Sequence, residues 1–154
     1  MYLRIGVQEK PFDVGKEVRS LRESSRQIGG IATFLGVVRE INDDDAVSNL
    51  FLEHYPGMTE SQIEEIIRSA GERWPVLAAT VLHRVGNLAP NEEIVFTCIG
   101  SRHRGDAFAA CEFIMDYLKT RASFWKKEKT RAGSRWLTTR DSDIKAAERW
   151  TDDH

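Results

Sequence analysis

The chain has 154 residues, 22 Lys or Arg against 24 Asp or Glu, and a formal net charge of −2 with His neutral. That length suits one domain spanning residues 1–154, because a chain of this size buries roughly two-thirds of its unfolded surface and needs no staples. The near-neutral balance argues against a general nucleic-acid binder, and 41% apolar with 30% charged residues argues against disorder.

No apolar run approaches the ~20 residues of a membrane span, and Met1-Tyr2-Leu3-Arg4-Ile5 has no signal-peptide core. A cytosolic location is therefore expected. Cys98 and Cys111 lie singly in apolar sequence and are expected to be buried, reduced thiols.

Residues 3–8 alternate as a short strand, and Asp13 is placed to cap a helix reaching about Arg22. Gly29-Gly30 opens a β-rich run over residues 31–39, in which Gly36 marks a bulge or a close backbone approach. Residues 42–45 (Asn-Asp-Asp-Asp) read as a solvated turn, and residues 47–55 as a strand ended by Pro56-Gly57. Thr59 with Gln62 predicts a capping box for a helix to Trp74, with Ile63, Ile66, Ile67 and Ala70 on one face and Pro75 as the stop.

Two further strands, residues 76–85 and 92–101, are joined by a connection over residues 86–91. A helix begins at Asp106, with Phe108, Cys111, Met115 and Leu118 spaced as one buried stripe. Residues 124–129 read as a strand, Gly133 as a turn, the segment around Trp136 as another strand, and Asp143 as the start of a short helix. The order β-α-β-β-α-β-β-α-β-β-α, with hairpins between helices, predicts an α+β fold and not a doubly wound parallel sheet.

Charge is unevenly distributed. From Lys119 to Arg140 there are eight Lys or Arg and one acid, Glu128. A basic block in a near-neutral chain fits a pocket for a small anion better than a track for a polyanion. The chain has no P-loop, no dinucleotide-type glycine motif and no nucleophile elbow, and its four histidines lack partners at metal-ligand spacing, so no metal site is expected.

Several cations stand at the ends of elements. Arg39 closes an apolar strand. His103 and Arg104 precede the Asp106 helix, where helix N–H groups and two cations would make a phosphate site; solvated loop residues are the alternative. Lys119 ends that helix beside its apolar stripe, either as a reactive amine or as a complement to the helix dipole. On the next strand Lys126 and Glu128 share a face with Phe124, while Lys127 shares the other with Trp125. Such faces suit an aromatic anion, and equally suit snorkelling lysines.

Taken together, Phe34-Leu35-Gly36-Val37-Val38-Arg39, Leu52-Glu53-His54-Tyr55-Pro56-Gly57-Met58-Thr59-Glu60, His83-Arg84-Val85-Gly86, Ser101-Arg102-His103-Arg104, Met115-Asp116-Tyr117-Leu118-Lys119 and Phe124-Trp125-Lys126-Lys127-Glu128 resemble, in order and spacing, the large, catalytic subunit of molybdopterin synthase, the MoaE family. The likeness runs from about Ile5 to Trp150. It implies an α/β hammerhead fold with an added antiparallel β subdomain, a homodimer, and a heterotetramer with two ubiquitin-like small subunits. It further implies a sulfurtransferase without resident cofactor. Two sulfurs would pass from the small subunit's thiocarboxylated Gly-Gly tail to cyclic pyranopterin monophosphate (precursor Z), forming the molybdopterin dithiolene.

Carried over by position, the resemblance makes Lys119 and Lys126 catalytic and also substrate-binding. It assigns Val37, Val38, Arg39, His103, Arg104, Lys127 and Glu128 to the substrate pocket, and has Arg140 reach into the neighbouring protomer's pocket. Ser123 departs from the family's frequent proline and is expected to loosen the turn between the two lysines. The competing expectations are a nucleotide- or RNA-binding surface on the 119–140 block and a phosphoester hydrolase using the same anion site.

Overall fold

The computed structural model describes residues 1–42, 45–130, 133–137 and 140–151. Thirteen elements follow in chain order: β1 Tyr2–Gln8, α1 Val14–Glu23, β2 Gly30–Val37, β3 Ile41–Asn42, β4 Asp45–His54, α2 Met58–Arg73, β5 Val76–Arg84, β6 Gly86–Leu88, β7 Glu93–Ser101, α3 Arg104–Arg121, β8 Phe124–Thr130, β9 Gly133–Leu137 and α4 Asp141–Glu148.

The first sheet runs β1-β5-β7-β2, parallel between β1 and β5 and antiparallel elsewhere. Helices cover both of its faces. Leu21 of α1 packs with Ala78, Leu82, Phe96 and Cys98 on one side. On the other, Ala79, Val81, Val95 and Ile99 meet Ile63, Ile67 and Ala70 of α2 and Ala107, Ala110 and Ile114 of α3. A strand covered on both faces reads as a continuous apolar run, which is the pattern of β5 and β7. The second sheet is antiparallel, β3-β4-β8-β9, with β6 pairing β4 as well. The α+β expectation holds.

Local chemistry explains most element ends. Asp13 caps α1 by accepting from the Lys16 N–H at 3.1 Å. At Gly36 the β2–β7 register shifts, and a Cβ there would lie 2.6 Å from Val95 Cγ1, so the close approach expected from this glycine is real. The predicted capping box is displaced. Gly57, with φ +86°, caps α2, and Glu60 accepts from its N–H. Thr59 lies inside the helix, where its hydroxyl accepts from Tyr55 N at 3.0 Å and donates to Ser123 O at 2.9 Å.

Three other expectations need correction. The strand run of residues 31–39 stops at Val37; Val38 continues only as a backbone partner, donating to Glu92 O and accepting from Asn91 N. The 86–91 connection contains β6, whereas Ile41 and Asn42 pair with Ala46 and Asp45 across the 42–45 turn as expected, with Asp43 and Asp44 outside the described residues. Phe108 is 65% exposed. The buried side of α3 is Ala107, Ala110, Cys111, Ile114 and Leu118, one residue round from the predicted stripe, with Phe113 and Tyr117 packed toward α2 and α4. Among the described residues no helix is long and apolar enough to cross a membrane.

Candidate functional site

A cavity of about 540 Å³ opens where the two sheets meet the C-terminal end of α3. Its apolar wall comes from the β2 edge, with Phe34, Leu35 and Val37, together with Met115, Leu118 and Leu137. Its polar wall holds Arg39, His83, Lys119, Thr120, Lys126, Glu128, Arg140 and Asp143.

Each cation is placed by the element beneath it. Leu118 is buried in the core, so Lys119, next in the last turn of α3, is carried to the rim, where the helix C-terminus favours a cation. Met115, one turn earlier, is fixed by a hydrogen bond from Thr97 Oγ1 to its sulfur at 3.1 Å. The turn to β8 is tied on both sides: the Ser123 N–H donates to Gln62 Oε1 at 2.8 Å, and Ser123 O accepts from Thr59. A proline at that position would lack the first bond, so Ser123 does not loosen the turn but replaces one constraint by another.

On β8 the side chains alternate. Phe124, Lys126 and Glu128 face the cavity; Trp125 and Lys127 face away. Lys127 sits instead over the Trp136 ring at 5.5 Å, its cross-strand neighbour on β9. Phe124 stacks on His83 with centroids 4.0 Å apart. Lys126, half-buried beyond it, has its pKa pulled down to about 8, chiefly by loss of hydration and then by the charge and hydrogen bond of Lys119; Asp143 opposes this. Two lysines from elements that share no backbone pairing therefore line one cavity, one of them ready to exchange protons near neutral pH.

Arg140 caps α4 and Asp143 lies in its first turn. The far end of α4 is clamped to α3: Arg149 reaches Glu112 at 2.6 Å and Asp116 at 2.7 Å, and Trp150 Nε1 donates to Asp116 at 2.6 Å. The clamp holds the helix whose start delivers Arg140 and Asp143 to the cavity.

Of the residues singled out in the sequence, Val37, Val38, Arg39, Lys119, Lys126, Glu128 and Arg140 meet at this one cavity. Arg140, expected to reach a neighbouring protomer's pocket, lines the pocket of its own chain. Lys127 turns away, and His103 and Arg104 stand at the opposite end of α3, about 22 Å from Lys119 at ~1.5 Å rise per residue. One chain therefore does not unite all the expected cations. Sequence reasoning missed His83, Thr120 and Asp143. His83 had a signal, an ionisable group next to the end of the mostly apolar run of β5.

The model of the MoaE protein family matches residues 7–121. A molybdopterin synthase catalytic subunit of Ralstonia nicotianae is 53% identical over 146 residues, covering 95% of this chain and 83% of that protein. One from Escherichia coli is 52% identical over 147 residues, covering 96% and 97%. Among solved structures, the molybdopterin biosynthesis MoaE protein of Burkholderia ambifaria superposes with TM-score 0.84 at 48% identity over 98% of this chain and 99% of that one. Molybdopterin synthase from Staphylococcus aureus gives 0.80 at 27% identity over 86% and 95%. Lys126, Glu128 and Arg140 lie beyond the family-model match but inside the span aligned with the full-length relatives. With fold, cavity and near-complete alignments in agreement, the chain belongs to the MoaE family.

Proposed function

We propose that the chain is the catalytic subunit of a molybdopterin synthase, a cytoplasmic sulfurtransferase. It takes two sulfurs from the thiocarboxylated Gly-Gly tail of a ubiquitin-like small subunit and places them on cyclic pyranopterin monophosphate, making the dithiolene of molybdopterin. The observation that carries this reading is the convergence of Lys119 and Lys126 on one cavity that is apolar on one wall and cationic on the other. The Phe34, Leu35 and Leu137 wall suits a flat pterin, and Arg39 and Arg140 suit its cyclic phosphate.

Each transfer needs attack of the tail sulfur on a pterin carbon and departure of an oxygen or phosphate, with negative charge developing on the leaving group. Lys126, with its pKa near 8, can hand a proton to that group and recover one from water, while Lys119 at the rim steadies the charge. Water then attacks the resulting thioester carbonyl, breaking its carbon–sulfur bond so that the sulfur stays on the pterin and the tail leaves as a carboxylate. The extended backbone of a Gly-Gly tail, lacking side chains, suits entry along the rim beside Lys119.

A homodimer completes the anion site. β2 pairs with β7 on one side only, and Phe34, Leu35 and Val37 are 43%, 41% and 47% exposed along its free edge. Gly30, at its start, lies against the Arg104 backbone; Val37, at its end, lies at the cavity. Antiparallel pairing of two β2 edges about a two-fold axis would carry one copy's His103 and Arg104 toward the other's Arg39 and Lys119.

The test is conversion of precursor Z by the chain with thiocarboxylated small subunit, comparing wild type with Lys119→Ala. Wild type is expected to form molybdopterin and the folded variant about 10³-fold less, some 4 kcal/mol of barrier. No product from wild type would refute the reaction; full activity in the variant would remove Lys119 from it.

A further inference from the structure

Both lysines stand on one short stretch of chain with a single joint between them. α3 ends at Arg121 and β8 begins at Phe124, leaving Ala122 and Ser123 to turn the backbone. Leu118, Lys119, Thr120, Ala122, Phe124 and Lys126 all line the cavity. Ser123 does not; its peptide groups bond to α2 instead. Its N–H donates to Gln62 Oε1 at 2.8 Å, and its carbonyl accepts from the Thr59 hydroxyl at 2.9 Å. Thr59 is fully buried, and its hydroxyl oxygen also accepts from Tyr55 N–H at 3.0 Å, so the hydroxyl is fixed at both ends.

Neither Thr59 nor Gln62 lines the cavity, so neither touches a bound substrate there. Gln62 is half-buried at the edge of a second hollow, about 280 Å³, between α2 and α3 beside Tyr117 and Arg121. A leucine would fill the same volume, yet only a side-chain acceptor satisfies the Ser123 N–H. Lys119 moves with the helix end, and Lys126 moves with the strand start. The angle at the joint therefore governs the separation of the two amines. The other ionisable groups around Lys126 in the cavity are Arg39, His83, Glu128, Arg140 and Asp143, none of which belongs to α3.

We propose that Thr59 and Gln62 are positioning residues of this site: from α2 they hold the Ala122–Ser123 joint and so set where Lys126 stands relative to Lys119. The kinetic part of this inference rests on the sulfur-transfer reading; the positioning itself does not.

The joint supplies its own test. Phe124 N–H donates to the Ala122 carbonyl at 3.0 Å, closing a γ-turn about Ser123, whose φ is not positive. This is the inverse form, with φ about −75°, and a proline ring holds φ at about −65°. Ala122, at φ −84° and ψ 139°, has the extended backbone that suits a residue before proline. Ser123→Pro thus fits the turn, loses the bond to Gln62 and fixes the joint by its ring.

NMR of the full-length protein with isotope-labelled lysine side chains, Lys126 being assigned from Lys126→Met, needs no substrate. Wild-type Lys126 should titrate at about 8. In Gln62→Leu or Thr59→Val the midpoint should rise toward 10.5 as the charge of Lys119 moves off. Thr59→Ser keeps the hydroxyl and should hold the wild-type midpoint, and adding Ser123→Pro to Gln62→Leu should restore it. In the sulfur-transfer assay Gln62→Leu should lower kcat about tenfold with little change in KM. Its alkaline limb should move to higher pH, and Ser123→Pro should rescue both effects.

Folded Gln62→Leu and Thr59→Val with a wild-type lysine midpoint overturn the proposal, whether or not the enzyme turns over. A Gln62→Leu defect that Ser123→Pro leaves in place overturns it too, since the amide would then act by another route. If Thr59→Val does not fold, Gln62→Leu and its rescue decide. A wild type that makes no product refutes the reaction and leaves the lysine titration to decide the positioning.

Discussion

Strands β7 and β8 both reach the cavity, yet their compositions differ in kind. β7 (Glu-Ile-Val-Phe-Thr-Cys-Ile-Gly-Ser) is buried from Ile94 through Ser101, because helices cover both faces of its sheet. β8 (Phe-Trp-Lys-Lys-Glu-Lys-Thr) has one face toward the cavity and the other toward solvent, and places a lysine on each. The first sheet is a scaffold whose information is volume. The second carries the chemistry, and its information is which way each charge points.

Substitutions on the two strands should therefore fail in opposite ways. The largest effect is expected from Phe96→Ala. Its fully buried ring packs against Phe12 at 6.0 Å, and the cavity left behind should cost about 3–5 kcal/mol by denaturant unfolding, with turnover per folded molecule unchanged. Lys126→Met should do the reverse, cutting molybdopterin formation about 10²-fold, or ~2.7 kcal/mol of barrier, while the fold persists.

A subtler contrast is in pH. Unfolded His83 takes up a proton below about 6.5, whereas the folded residue resists until about 3, so stability should fall as pH drops through that window, by about 1.4 kcal/mol per unit from this group. Denaturation midpoints measured across that range should show a shallower acid slope in His83→Phe. Smallest of all is Lys127→Ala: with its charge over the half-exposed Trp136, both stability and turnover should stay within about 0.5 kcal/mol of wild type. A large loss of turnover there would restore Lys127 to the pocket and blur the division between the two faces of β8.

Legibility in the sequence followed the same division. Continuous apolar runs gave β5 and β7, Asp13 gave the start of α1, and Gly36 gave the bulge, because each rests on a local rule. The buried stripe of α3 slipped by one residue because alanines at 107 and 110 carry the contact, and small residues weigh little in a pattern of apolar size. Alternation showed that Lys126 and Lys127 point apart, but not which of them points inward; that depends on how β8 docks against His83, a contact between segments distant in sequence. The position of Arg140 depends on a clamp at the other end of α4, formed by Asp116, Arg149 and Trp150, for which no local signal exists.

The burial of Lys126 near Lys119 has a cost that the rest of the fold must carry. A lysine whose pKa falls from 10.5 to about 8 disfavours folding at any pH below 8, where both folded and unfolded chains hold the proton, and the penalty fades only between 8 and 10.5 as the folded chain releases it first. Lys126→Met, the variant that should cut turnover about 10²-fold, is thus also expected to melt later than wild type at neutral pH. Selection for thermal robustness alone would therefore drift toward a slow enzyme, and a screen of this family by melting temperature would rank weakly active members near the top.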